Sequence, residues 1–204
     1  MNSRDRVLSA FRHEEVNKVP RWCGASAEFW NNAKQALKLD DEALRIRFGD
    51  DFRRVFAPYV ETDALLGGIS NRTPFGVERH GLGYGQPTSH PLATASLKEI
   101  HEYSWPDASR VDVSQLRADA GVYQGQYAIL GGDWSPYWHD AIDLLGMETL
   151  YLKMYDEPDV VDALLEHIVE YYAEASRRIF AEAGDLIDVF FIGNDFGSQT
   201  GPLL

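Results

Sequence analysis

From Val161 onward apolar residues recur at helical spacing. Val161, Leu164, Leu165, Ile168, Tyr172, Ala175 and Ile179 fall on one face of a long amphipathic helix. Asp159 stands where an N-cap is wanted, and Gly184 where a helix C-terminus takes a left-handed residue. The pattern then changes. "LIDVFFIG" is almost continuously apolar, as a strand covered on both faces should be. "YAILGGD" reads the same way, and helical segments follow it through "WHDAIDLLGMETLYLKMYDEP". Strand, helix and strand in that order predict a parallel α/β fold.

The first half carries weaker patterns. Val7, Leu8 and Phe11 sit at helical spacing behind Ser3, a candidate cap. Pro20 then favours an extended Val19 and ends that helix. "VPRWCG" reads as a short strand, "EFWNNAKQALKLDDEALRIRFGDD" as helical pieces and "RRVFAPYV" as a second strand. Together these readings place parallel strands at 19–24, 54–60, 127–132 and 186–192. Between 66 and 95 glycine and proline are dense, which predicts loops and a short hairpin around "FGVERHGLGYG". "GLGYG" has neither the preceding strand nor the following helix that a phosphate cradle needs, so its glycines read as turn residues. A short helix is predicted at "SLKEIHEY".

Composition narrows the function classes. Hydrophobic residues make up 45% of the 204 and charged residues 25%, which suits a globular domain. No apolar run reaches the roughly 20 residues of a membrane span. The charged start "MNSRDRVLSAFRHEE" is not a secretory signal, and the lone Cys23 has no partner for an internal disulfide; both predict a cytoplasmic protein. A net charge of −13 opposes nucleic-acid binding. The six histidines show no ligand spacing such as HxH or HExxH, and His167 reads as a surface residue of the long helix.

Three segments resemble the uroporphyrinogen decarboxylase family. They are the opening "SRDRVLSAFRHEEVNKVP", the pair "EIHEYSWPD" and "YAILGGDWSPYW", and the run from "PDVVDALLEHIVEYYAEASRRIFAEAGD" through "LIDVFFIGNDFGSQTGPLL". The resemblance implies an α/β fold of TIM (β/α)₈ barrel type, with residues 1–204 forming the N-terminal half of a single barrel domain and about the first four strands. It implies either of two chemistries. One is decarboxylation of uroporphyrinogen, without a cofactor. The other is methyl transfer between a small methylated substrate and a corrinoid protein, with a zinc that activates a thiol. The family's decarboxylases carry paired arginines after strand one and an aspartate at the end of strand two. Here "VPRWCGASAEFWNNAK" has no arginine between Cys23 and Arg45, and the nearest acids after "VFAPYV" are Glu61 and Asp63. These departures favour the methyltransferase branch, whose zinc ligands belong to later strands beyond Leu204. Decarboxylation at a rearranged site is the alternative, and a non-catalytic half-barrel or truncated binding module is a third reading.

Candidate site residues follow from the strand ends. Asp133 and Asp195 end consecutive parallel strands, so their carboxylates could share a pocket as acid, base or cation ligand, or each could cap the next turn. Trp134, Tyr137, Trp138 and His139 suit a flat substrate or ordinary packing, and the resemblance places a pocket tyrosine close to Tyr137. Asn194, Ser198 and Gln199 are candidate polar contacts. Cys23 is a candidate metal ligand or a small buried hydrophobe. An open half-barrel would leave sheet edges and apolar area near Phe190 and Ile192 exposed, which predicts self-association or a longer native chain.

Overall fold

The computed structural model describes residues 1–60, 70–81, 85–134, 136–198 and 200–202, without the side chains of residues 70, 71, 134 and 198. In chain order the elements are α1 (Ser3–Phe11), α2 (Ala27–Leu37), α3 (Asp41–Phe48), β1 (Phe52–Arg54), β2 (Ser70–Arg72), β3 (Glu78–His80) and β4 (Gln86–Pro87). Then come α4 (Leu97–Glu102), a 3₁₀ turn at Ala108–Arg110, α5 (Leu116–Tyr123), β5 (Ala128–Trp134), α6 (Trp138–Leu145), α7 (Met147–Asp156), α8 (Pro158–Ala183), β6 (Val189–Gly193), β7 (Gly197–Ser198) and β8 (Gly201–Pro202).

The organising sheet is parallel, in the order β1-β5-β6. Phe52 pairs with Ala128, Leu130 with Val189, and Asp133 with Ile192. β5 and β6 are thus joined through α6, α7 and α8, as a parallel crossover requires. Gly132 is required where β5 meets β6: its φ is +104°, and a Cβ there would lie 1.9 Å from the Phe191 carbonyl oxygen. Separate antiparallel pairings join β2-β3-β4 and β7-β8. One core packs Ile129, Val55 and Leu116 against Ile179 and Ala183 of α8. A larger one joins Phe75, Val77 and Ile100 to the apolar faces of α6, α7 and α8. The helical face read from the sequence is the buried one: Val161, Leu164, Ile168, Ala175 and Ile179 are all interior.

Several expectations are corrected. The parallel sheet has three strands among the described residues, not four, and does not close into a barrel. Residues 19–24 form no strand. Pro20 has no N–H to give, and the Arg21 N–H donates to the Asp51 carboxylate at 3.0 Å instead of to a ladder carbonyl. The second strand lies at 52–54 rather than 54–60, because Pro58 interrupts pairing and Tyr59 bridges to Val111 instead. β6 is half-exposed rather than covered on both faces, with Ile192 52% exposed.

The caps differ too. Asn2, not Ser3, caps α1 by accepting from the Asp5 N–H. α8 begins at Pro158, whose fixed φ suits a first helical position, so Asp159 lies inside the helix. Gly184 ends α8 with φ −62°, a right-handed conformation. The hairpin expected near "FGVERHGLGYG" is present as β2-β3-β4, although Leu82, Gly83 and Tyr84 lie outside the described residues, as do Glu61 and Asp63. A capping box joining Ser96 and Glu99 starts the short helix α4. α5, which no periodicity pointed to, packs Leu116 and Ala120 under the sheet.

Candidate functional site

β5 runs from a buried apolar start to Asp133, and the chain then turns through Tyr137 into α6. Tyr137 holds φ +65°, a conformation that non-glycine residues adopt rarely, and its carbonyl receives the Ala141 N–H. This turn sets Asp140 in the first turn of α6, against α8. The Tyr172 hydroxyl donates to the Asp140 carboxylate at 2.8 Å. Burial pushes the Asp140 carboxyl up to about 7, against the Tyr172 hydrogen bond and reinforced by the charge of Asp143. Burial likewise raises the Asp133 carboxyl, with the nearby Arg54 charge opposing. The Tyr171 and Tyr172 hydroxyls are pushed up by burial and by these two acids.

Asp133, Tyr171 and Tyr172 line a cavity of about 240 Å³, closed by Phe56, Pro58 and Tyr59 from the segment after β1. It therefore lies beyond the C-terminal ends of β1 and β5, where open α/β sheets bind ligands. A larger space of about 550 Å³ adjoins it across Tyr59 and Pro74, between Arg72, Tyr103, Trp105 and Arg110. It is half open and holds none of the acids with raised carboxyls, so the strand-end cavity is the stronger candidate for chemistry.

The predicted site residues divide into two groups. Asp133 joins Tyr137, Tyr171, Tyr172 and Asp140, whereas Asp195 lies apart, its side chain 86% exposed and 3.9 Å from His139 Nε2. The two acids do not share a pocket, because Asp195 lies three residues beyond Ile192, the register partner of Asp133. His139 is half-buried; its Nδ1 and the Asn194 Oδ1 are buried without a hydrogen-bond partner among the described residues. Trp138 is a core residue, 6% exposed, packed near Tyr151 and Phe196. The Trp134 backbone pairs with Gly193, Ser198 belongs to β7, and Gln199 lies outside the described residues.

Cys23 follows no strand and lines a cavity of about 140 Å³ with Trp22, Trp30, Arg45 and Arg54. Two guanidinium groups oppose a cation there. Among the described residues no three of His, Cys, Asp and Glu converge on a point that could hold a metal. The residues around Cys23 do not fit zinc.

Sequence reasoning missed Asp140, although an acid beside the apolar residues of "WHDAIDLL" was a signal for it. It also missed that Arg45 and Arg54 both line the cavity beside Cys23, which only the tertiary fold brings about.

No protein-family model matches the chain, and no curated protein matches it. Among solved structures, a methyltransferase from Methanosarcina mazei matches over 98% of this chain with a TM-score of 0.56 and 16% sequence identity. The chain spans 61% of that protein's length. At this identity the likeness establishes a shared fold: mixed α/β, with helices packed around a parallel sheet. No helix among the described residues is long and apolar enough to cross a membrane.

Proposed function

We propose that the chain forms the larger part of a barrel methyltransferase of the uroporphyrinogen decarboxylase superfamily, moving a methyl group between a small methylated substrate and a corrinoid protein. The fold likeness to a methyltransferase over 98% of the chain carries this reading. The strand-end cavity supports it chemically. Cleaving a methyl–oxygen bond leaves a phenolate or alkoxide that takes up a proton as the methyl passes to the acceptor, whereas a methylamine is protonated first and leaves as the neutral amine. Asp133 faces the cavity with its carboxyl raised by burial, and so retains a proton more readily than an exposed acid. Tyr171 and Tyr172 provide aromatic walls and neutral hydroxyls for orientation. In this reading β6, at the edge of the sheet with Ile192 half in water, seats a further polypeptide segment or a second copy.

The test supplies the purified protein, a corrinoid protein and methoxylated aromatics, methylamines or methanol in turn, and follows corrinoid methylation by its visible spectrum. Methylation with one donor is expected, and Asp133→Asn should slow it about 10²–10⁴-fold. Absence of methylation with every donor overturns the reading. One observation favours the decarboxylase alternative: Arg54 and Arg45, the latter paired with Asp50, both line the cavity beside Cys23, where their positive charge would attract a substrate carboxylate. Conversion of uroporphyrinogen to coproporphyrinogen in a parallel assay would decide for it.

A further inference from the structure

His101 of α4 and His167 of α8 do not line the strand-end cavity and have no part in the chemistry above. The sequence alone reads His167 as a surface residue. In the fold its ring stacks on Trp105, centroids 4.8 Å apart and planes within 18°, while its Nε2 and His101 Nδ1 share a hydrogen bond of 3.3 Å. Trp105 is itself anchored, its indole N–H donating to the Ile100 carbonyl at 2.9 Å. On the far side of the His167 ring, Glu170 lies 3.7 Å from Nδ1. A carboxylate at that position favours the proton on Nδ1, so Nε2 accepts the hydrogen bond from the His101 Nδ1–H.

The separation of the two nitrogens is informative. Two imidazole nitrogens bound to one tetrahedral zinc, each at 2.0–2.1 Å, stand about 3.3–3.4 Å apart. The hydrogen bond already holds His101 and His167 at that spacing, with one ring fixed by stacking and oriented by a carboxylate, and a cation bound by both nitrogens would displace the proton they share. His101 is exposed, so an ion can reach the pair from solvent. Each ring comes from a different helix, so a shared ion would tie α4 to α8.

We infer that His101 and His167 form a two-histidine site for a borderline divalent cation of the zinc, nickel or copper class. No third protein ligand converges there among the described residues, so water completes the coordination. The inference does not depend on the methyltransferase reading. Because only neutral imidazole ligates, the affinity falls as the pH is lowered.

Calorimetric titration of the purified chain with Zn²⁺ tests it, together with Cu²⁺ quenching of tryptophan fluorescence. One equivalent of Zn²⁺ is expected to bind, and His101→Gln and His167→Gln should each weaken it at least tenfold. His101→Gln changes an exposed side chain and should leave the fold intact, which circular dichroism checks. Cu²⁺ should quench Trp105, so Trp105→Phe should remove most of the quenching while one equivalent still binds. Unaltered Zn²⁺ affinity in His101→Gln, or no stoichiometric binding by the parent chain, overturns the site.

Discussion

The two ends of the parallel sheet treat buried acids in opposite ways. At the N-terminal end α1 lies across the strand starts. There Asp51, just before β1, receives hydrogen bonds from the Arg6 guanidinium, the Ser3 hydroxyl and the Arg21 N–H. Asp188, just before β6, receives the Arg4 guanidinium and the Ile129 N–H. At the C-terminal end Asp133 is near Arg54 with no guanidinium hydrogen bond among the described residues, and Asp140 has only neutral donors, the Tyr172 hydroxyl and the Tyr137 backbone N–H. Further along α6, Asp143 does pair with Arg79. One end uses its carboxylates chiefly as fasteners, although burial raises the Asp50 carboxyl there too, against its Arg45 partner. The other keeps Asp133 and Asp140 in positions where burial opposes ionisation, which is what proton donation in the proposed reaction requires. Substitutions at the two ends should therefore separate stability from activity.

The largest loss of stability is expected from Asp51→Ala. Arg6 and Asp51 are both buried, with side-chain exposures of 7% and 2%, so removing the acid strands a guanidinium in the interior. Breaking such a pair costs about 3–5 kcal/mol. A urea titration should show the midpoint falling accordingly with an unchanged slope. A loss below about 1 kcal/mol would mean that the N-terminal end does not fasten the sheet.

At the opposite end Asp140→Asn should do the reverse. The Asp140 carboxyl sits at about 7 in the fold against an ordinary 3.8, so folding favours its protonated form. That contribution is complete below about pH 4 and disappears as the pH rises through 7. Each pH unit between the two values corresponds to about 1.4 kcal/mol, so a half-buried carboxylate makes folding about 2–4 kcal/mol less favourable at pH 8 than at pH 4. Asparagine cannot ionise. The variant should flatten the fall in stability between pH 4 and pH 8, read as urea midpoints across that range. If parent and variant keep the same slope, Asp140 is not the acid responsible.

This contrast was only partly legible in the sequence. The order of β5, α8 and β6 was clear, because a long amphipathic stripe between two apolar runs has few other solutions. Asp188 interrupts the apolar run "LIDVFF", and that lone acid was the visible trace of the N-terminal fastening. Its partner Arg4 is 184 residues away, a pairing that no local pattern encodes. The segment at 19–24 had the composition of a strand, but strand formation depends on what receives its N–H groups, and Asp51 intercepts that of Arg21. Asp133 was found because strand ends attract attention. Asp140 was missed because its burial against Tyr172 arises from the packing of α6 on α8.

The smallest effect should come from Arg4→Met, and it sharpens the contrast within the N-terminal end itself. Arg4 is 38% exposed while its partner Asp188 is 8% exposed, so this pair meets solvent where the Arg6–Asp51 pair does not. The methionine keeps most of the aliphatic stem, which limits the change to the charge and its hydrogen bonds. Asp188 would still hold the Ile129 N–H at 3.0 Å, so its carboxylate is not left without a donor. A loss of about 1 kcal/mol or less is expected, near the upper range for partly exposed pairs. Salt distinguishes the two pairs more firmly than the size of the loss. The screening length falls from about 10 Å at 0.1 M to about 3 Å at 1 M, and it acts chiefly on charges in contact with water. Melting in 0.1 M and 1 M sodium chloride should therefore show the Arg4→Met deficit shrinking while the Asp51→Ala deficit persists. If both deficits shrink alike, the Arg6–Asp51 pair is reached by solvent, and the two ends of the sheet differ less than their geometry implies.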